Sequence, residues 1–401
     1  MPNVLSKVAI TAAATVAGYA LILGALMTPL LQRFALYANK FNTLFYHNIN
    51  SAEQFGFCKN QVTPLNIRTL DGETLYAWHV LPVDVYTRNE QKLRLEDRPG
   101  APVNDFAVTT PFKLLTKDPK ARVVISCHLA QGWRTDTMHR LTTQPHTHVF
   151  TIDYRGYGHS SGSPTEAGLI TDGVALLNYV LHIANIPPER ILLIGQSLGT
   201  AVASAVALEF ADPNNSLHPG RLGGAEEASL LANADLITQP TAFAGIILVA
   251  PFSNLPSLML TYRMGGLVPL LLPLRPFPWL SRLLTDNMVD KWPTADRLRA
   301  YYDAFASRTE LLTSAGGRRM GSVQIVHAID DMDITYRQTE TICRRMLGEG
   351  EKCSDGEGLV ELRRDGRPDL RFEIVGHGGH NRIVTYSPVA AAVVRAFEDI
   401  S

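Results

Sequence analysis

Apolar and polar positions follow one another in several distinct regimes along the 401 residues. From Val8 to Gln32 there is no charge, and VAITAAATVAGYALILGALMTPLL is an apolar run of about 24 residues, enough to cross a bilayer as a helix. A secretory leader usually has an apolar core of only about 7 to 15 residues. No polar face recurs at helical spacing, as it would in a half-buried core helix. The expectation is a retained single-pass membrane anchor with its flank over residues 1–40. Lys7 on one side and Arg33 and Lys40 on the other give almost no positive-charge bias to orient it.

Beyond the anchor, residues 66–82 (NIRTLDGETLYAWHVLP) hold two alternating runs around Asp71-Gly72, a hairpin pattern. Residues 84–119, polar and containing RNEQKLRLEDRPG, read as a long surface connection. The period then changes. ARVVISC (121–127), HTHVFTID (146–153), ERILLIG (189–195), AGIILVA (244–250) and SVQIVHA (322–328) are short apolar runs without polar alternation. Helical patterns over 165–184, 198–210 and 335–347 separate several of them. Strands buried on both sides and spaced by helices argue for a mostly parallel sheet with helices on both faces. Segments 212–243 and 348–371, rich in Gly, Asp, Glu and Asn, read as solvated loops.

Composition narrows the function classes. With 46% apolar residues the chain can fill one large domain. Lys+Arg 37 against Asp+Glu 38 leaves no basic footprint, so no nucleic-acid partner is expected. Cys58, Cys127, Cys343 and Cys353 have no metal-binding spacing; Cys127 reads as a small core residue, and Cys343 could pair with Cys353 in an oxidising compartment. No metal or organic cofactor is expected. One glycosylation sequon, Asn214-Asn215-Ser216, would matter only in a lumenal domain.

The third apolar run enters Gly195-Gln196-Ser197-Leu198-Gly199, and a strong helical pattern follows. GxSxG between a strand and a helix is the setting in which a sharp turn lifts a serine out of the sheet. A serine hydroxyl at neutral pH needs a histidine base, and the histidine needs a carboxylate to fix its tautomer. Both should follow in the order Ser, Asp, His. Ile329-Asp330-Asp331-Met332-Asp333 stands after SVQIVHA, and His377 and His380 stand in RFEIVGHGGHN. The pattern alone leaves open which carboxylate and which histidine work.

Asp153 to Leu169 (DYRGYGHSSGSPTEAGL), together with GQSLGT and HAIDD, resembles the membrane-anchored α/β-hydrolase-domain serine hydrolases that include monoacylglycerol and lysophosphatidylserine lipases, fungal relatives among them. The similarity runs over roughly Asn66 to Ile400. It implies an α/β-hydrolase fold over 60–401, with an apolar cap inserted at about 252–320. The proline-broken stretch 255–284 would line an acyl pocket or dip into a bilayer. The resemblance further implies Ser197 as nucleophile, Asp331 as acid and His380 as base, with Asp330 and His377 as alternates. It implies an oxyanion hole from the backbone N–H groups of Leu198 and Ala130. In that loop, His128-Leu129-Ala130-Gln131-Gly132, Leu129 stands where the family carries glycine. The expected partners are a small lipid or ester substrate and a membrane, and the oligomeric state is not indicated. The implied activity is hydrolysis of a lipid-like carboxylic ester. The alternatives are an esterase, thioesterase or acyltransferase acting on a specialised metabolite, or a catalytically weakened binding or scaffold protein.

Overall fold

The computed structural model describes residues 4–39, 48–97, 100–103, 105–127, 135–219, 239–264, 268–269, 271–274, 276–348 and 351–398. Its strands in chain order are β1 (Val62–Arg68), β2 (Thr74–Val80), β3 (Arg122–Cys127), β4 (Thr147–Ile152), β5 (Ile191–Gln196), β6 (Gly245–Val249), β7 (Arg263–Met264), β8 (Val268–Pro269), β9 (Ser322–Ala328), β10 (Gly358–Leu362) and β11 (Leu370–Val375). Nine of them form one sheet in the order β1-β2-β4-β3-β5-β6-β9-β11-β10, and β7 with β8 makes a separate ribbon. From β4 to β11 neighbours are parallel, while the β1–β2 hairpin and β10 are antiparallel additions at the two edges.

The five apolar runs are five strands of the parallel region because each must bury both faces. Helices Glu166–Asn178, Leu198–Ala211, Thr294–Ala304 and Arg337–Leu347 cover one face of the sheet. Thr135–Thr142 and Ser387–Phe397 cover the other. Every residue of Leu198–Ala211 is buried, and its central run of Ala, Val and Ser suits close packing between the sheet and the flanking helices.

Two expectations are corrected. The polar stretch 84–119 is not a bare connection; it contains helices Val83–Leu95 and Thr110–Lys117. The first buries only Val85, Tyr86 and Leu93 and pairs Arg88 with Asp84 and Arg94 with Glu90 across single turns, so its apolar stripe is thin against a charged background. Segment 348–371 contains edge strand β10, whose alternation is half-exposed and short. Cys343, within helix Arg337–Leu347, is joined to Cys353 beyond its end by a disulfide.

The Asp153–Leu169 segment owes its sequence to one buried arginine. Arg155, 4% exposed, donates from Nη1 and Nη2 to the two oxygens of Asp71 at 2.6 and 3.0 Å, and from Nε to Asp172 at 2.8 Å. Its own backbone N–H also donates to Asp172 at 2.8 Å. The network therefore clamps the hairpin turn to helix Glu166–Asn178. Arg155→Ala leaves two carboxylates without their cation, and stability measured by urea unfolding should fall by about 3 to 5 kcal/mol. Arg155→Lys should recover little, because a point ammonium cannot span both carboxylates.

Candidate active site

Parallel strands of an open sheet bring their carboxyl ends to one edge, and the residues that follow β5, β9 and β11 all meet there. β5 ends at Gln196, and Ser197 follows with φ 53° and ψ −125°, a left-handed conformation rare for a residue with a side chain. Its N–H donates to Val249 O at 3.1 Å, and its C=O accepts from Thr200 Oγ1 at 2.6 Å, so the strain is held by partners on β6 and on the next helix. The turn is so tight that a Cβ at Gly195 would sit 2.2 Å from Gly199 O. Leu198 is the first residue of the following helix, with its N–H at the positive end of the helix dipole beside Ser197.

Asp331 and His380 are brought together from sequence positions far apart. His380 Nδ1 lies 2.8 Å from Asp331 Oδ2; a carboxylate only accepts, so Nδ1 donates, which in a neutral imidazole leaves the lone pair on Nε2. Asp331 Oδ1 accepts the backbone N–H groups of Asp333 and Ile334 at 2.9 and 2.8 Å. His327 stands on the same carboxylate: its Nε2 donates to Ile334 O at 2.9 Å and lies 3.4 Å from Asp331 Oδ2, while its Nδ1 accepts from Thr339 Oγ1 at 2.7 Å. Burial alone would raise the Asp331 carboxyl; the hydrogen bonds from His327 and His380 outweigh it and hold the group well below the ordinary carboxylate range. Asp331 is therefore an anion across the accessible pH range.

The alternates fall outside this pairing. Asp330 turns away from His380 and accepts the backbone N–H groups of Gly378 and Gly379 at 3.3 and 2.7 Å, which fastens the loop that carries His380. His377 has a side chain 93% exposed and no place beside Asp331. Asp330 and Asp331 point apart from adjacent positions, and His377 is carried away from Asp331 three residues before His380, so one member of each pair makes the Asp331–His380 contact. Nor does Asp331 cap the next helix, which begins only at Arg337; it closes the turn before it.

Among the described residues no hydrogen bond joins Ser197 to His380. The two loops are tethered one residue away, where Gln196 Nε2 donates to His380 O at 2.6 Å. The expected oxyanion donor Ala130, with His128 and Leu129, lies outside the described residues. Asp331, Asp333 and His380 also place ligand atoms within 4.8 Å of one another. In this geometry the Asp331 oxygens already accept from His380 Nδ1 and from two backbone N–H groups.

Ser197 and Leu198 open onto a cavity of about 510 Å³, walled largely by apolar side chains that include Phe252, Leu258, Met259, Leu271 and Met288. A second, wider cleft of about 750 Å³ shares Leu271 and Thr285 with it and is lined by Asp331, Met332, Thr335 and three arginines, Arg263, Arg282 and Arg337. The segment between β6 and β9, where a cap was expected, supplies much of both through helices Leu255–Thr261 and Pro278–Asp286; its prolines break the apolar run into short pieces. Sequence reasoning used His327 only through the family's four-residue spacing to Asp331, and it did not place Gln196 or the residues before position 39 at the site.

The model of the family described as "Alpha/beta hydrolase family" matches residues 123–396. The chain belongs to that family. A crystal structure of an alpha-beta hydrolase from Vibrio vulnificus superposes with a TM-score of 0.52 at 12% identity, covering 92% of this chain and 94% of that one, and so shares the fold. Curated relatives match over short stretches. The uncharacterized protein YfhR of Salmonella typhi is 49% identical over 51 residues, 13% of this chain and 18% of its own length. Protein bem46 of Schizosaccharomyces pombe is 44% identical over 69 residues, 17% and 23%. The lysophosphatidylserine lipase ABHD12 of Danio rerio is 40% identical over 65 residues, 16% of each chain. The chain thus aligns with about a fifth of the length of these relatives. The apolar helix Ser6–Ala25 is long enough to cross a membrane and almost wholly exposed, a pattern that a signal sequence shares.

Proposed function

We propose that the protein is a serine hydrolase that cleaves the carboxylic ester of a single-chain lipid through an acyl-enzyme. The observation that carries this reading is the position of Ser197: a strained, partner-held serine at the mouth of an apolar cavity, with the Asp331–His380 pair tethered beside it.

In this mechanism Ser197 Oγ attacks the ester carbonyl while His380 Nε2 takes its proton. Asp331, already ionised, fixes the Nδ1–H tautomer and stabilises the imidazolium that forms. The Leu198 N–H, and the expected Ala130 N–H, receive the charge that develops on the carbonyl oxygen. His380 returns the proton to the leaving alcohol, and a water activated by the same imidazole releases the acyl group. The acyl chain occupies the apolar cavity. The polar half lies toward the arginine-lined cleft, which suits a monoacylglycerol or a lysophospholipid; the zebrafish relative named for the latter supports the choice.

The surface supports a membrane setting. Beside the apolar helix, Phe277, Trp279 and Leu283 of the cap are exposed, Trp279 by 66%. Large exposed apolar side chains of this kind seat a protein at a lipid interface. The Cys343–Cys353 disulfide suits a domain facing an oxidising compartment.

A panel of esters tests the substrate. Detergent-solubilised protein should give kcat/KM values for monoacylglycerols or lysophospholipids at least tenfold above those for short soluble esters or thioesters of equal reactivity. A flat or inverted ranking would remove the lipid reading and leave the esterase.

A further inference from the structure

The segment that joins the apolar helix to the domain does more than hold the chain in place. Helix Pro29–Tyr37 lies against the cap, and Gln32, Arg33, Phe34, Ala35 and Leu36 from it line the cavity that opens onto Ser197, together with Leu26 before it and Ala38 after it. Its placement is specified by polar contacts at both ends. Gln32 Nε2 donates to Asn287 O and Gln32 Oε1 accepts from Val289 N–H, each at 3.0 Å, so one side-chain amide reads the backbone of the cap twice. Tyr37 Oη donates to the buried Asp290 at 2.9 Å, and Arg33 Nε lies 3.5 Å from the same carboxylate. Tyr157 Oη donates to Tyr37 O at 2.5 Å, and Asn39 Nδ2 donates to Gly156 O at 2.9 Å, which ties the end of the segment to the loop that Arg155 anchors. Upstream, Leu23 packs on Leu271, Leu274 and Leu284 of the cap.

A merely connecting segment has no reason to carry this set. Four hydrogen bonds between side chains and backbone and one to a buried carboxylate fix this nine-residue helix and the residues just after it in a single register. The result is that Phe34, Ala35 and Leu36 contribute to the cavity lining, Phe34 with part of its ring exposed. We infer that helix Pro29–Tyr37 is a wall of the acyl-binding cavity and that Phe34 and Leu36 set the length of acyl chain accepted. This rests on the lipid-ester reading for its substrate, although the wall itself needs no catalysis. Residues 26–38, in the flank of the expected anchor, then belong to the binding site.

The test uses the full chain in detergent and two opposed substitutions. Leu36→Trp fills the cavity and Leu36→Ala enlarges it. The readout is the ratio of kcat/KM for a twelve-carbon ester to that for a four-carbon ester. Leu36→Trp should lower the ratio by roughly tenfold or more, and Leu36→Ala should raise it or move the optimum to a longer chain, since each methylene that a pocket gains or loses changes discrimination by about 10- to 200-fold. Val16→Trp, on the exposed part of the apolar helix, should leave the ratio where it is. A second arm repeats the comparison without chemistry, as displacement of a fluorescent twelve-carbon fatty acid from Ser197→Ala by fatty acids of graded length. If both Leu36 variants keep their melting temperature and neither the ratio nor the displacement order moves, the wall is overturned and the esterase reading stands. If the protein turns over no ester but the displacement order shifts with Leu36→Trp, the wall stands and the esterase reading falls. Absence of any fatty-acid binding overturns the wall.

Discussion

Ser197→Ala removes ester turnover by a factor on the order of 10⁴ or more, with a fold that stays intact. The size follows from what is lost. Without Oγ there is no covalent intermediate, and the imidazole of His380 has no proton to take, so acid, base and nucleophile stop acting as a unit. What is left is binding in the cavity and the backbone donors, which by themselves give a residual rate of about 10³- to 10⁴-fold over water. Alanine is small enough to fit the turn, although the positive φ remains strained for any side chain. The melting temperature should therefore move by a few degrees at most, and initial rates on a twelve-carbon ester beside the wild-type chain check the prediction. A variant that keeps a tenth of the wild-type rate would assign the nucleophile elsewhere.

Asp331→Asn should be nearly as damaging, by about 10⁴-fold in kcat, with substrate binding little changed. The amide can present a hydrogen to His380 Nδ1, which turns the imidazole to the tautomer whose Nε2 carries a proton and cannot act as base. Two further partners feel the change. The backbone N–H groups of Asp333 and Ile334 donate to Oδ1, and Asn keeps an acceptor for them only if its NH₂ faces His380. The geometry thus selects the wrong tautomer. The linkage with pH has a definite sign. The folded carboxyl is held below its unfolded value, so its contribution to stability is present above the unfolded value, near pH 4, and is lost as pH falls toward the depressed one. Asp331→Asn should therefore flatten the acid limb of stability against pH while the neutral-pH melting temperature falls. Circular dichroism melts from pH 3 to 8, read with kcat, check both halves.

The sheet was legible because burial on both faces leaves no room for polar alternation, and β3, β4, β5, β6 and β9 carry that signature within one or two residues. Ser197 was legible because its turn constrains neighbours on both sides. The choice between Asp330 and Asp331, or His377 and His380, was not, since it depends on which way neighbouring residues of a loop point. That direction is set by partners remote in sequence, Gly378 and Gly379 for Asp330 and His380 for Asp331. Helix Val83–Leu95 stayed hidden because its stability comes from three buried side chains and surface charge pairs, a pattern that reads as solvated. The wall formed by residues 26–38 was illegible for another reason: an apolar stretch next to a membrane-length run gives no sign that a cap more than 200 residues later will close over it.

The central claim is that Ser197 is the activated nucleophile of a hydrolase. Its most direct test is labelling of the full chain with a fluorophosphonate, followed by peptide mass spectrometry to locate the adduct. The account predicts one stoichiometric adduct, on the peptide carrying Gly195-Gln196-Ser197 and at the serine, absent from Ser197→Ala and much slower to form in Asp331→Asn. A folded protein that takes up no label, or takes it up at another residue, contradicts it.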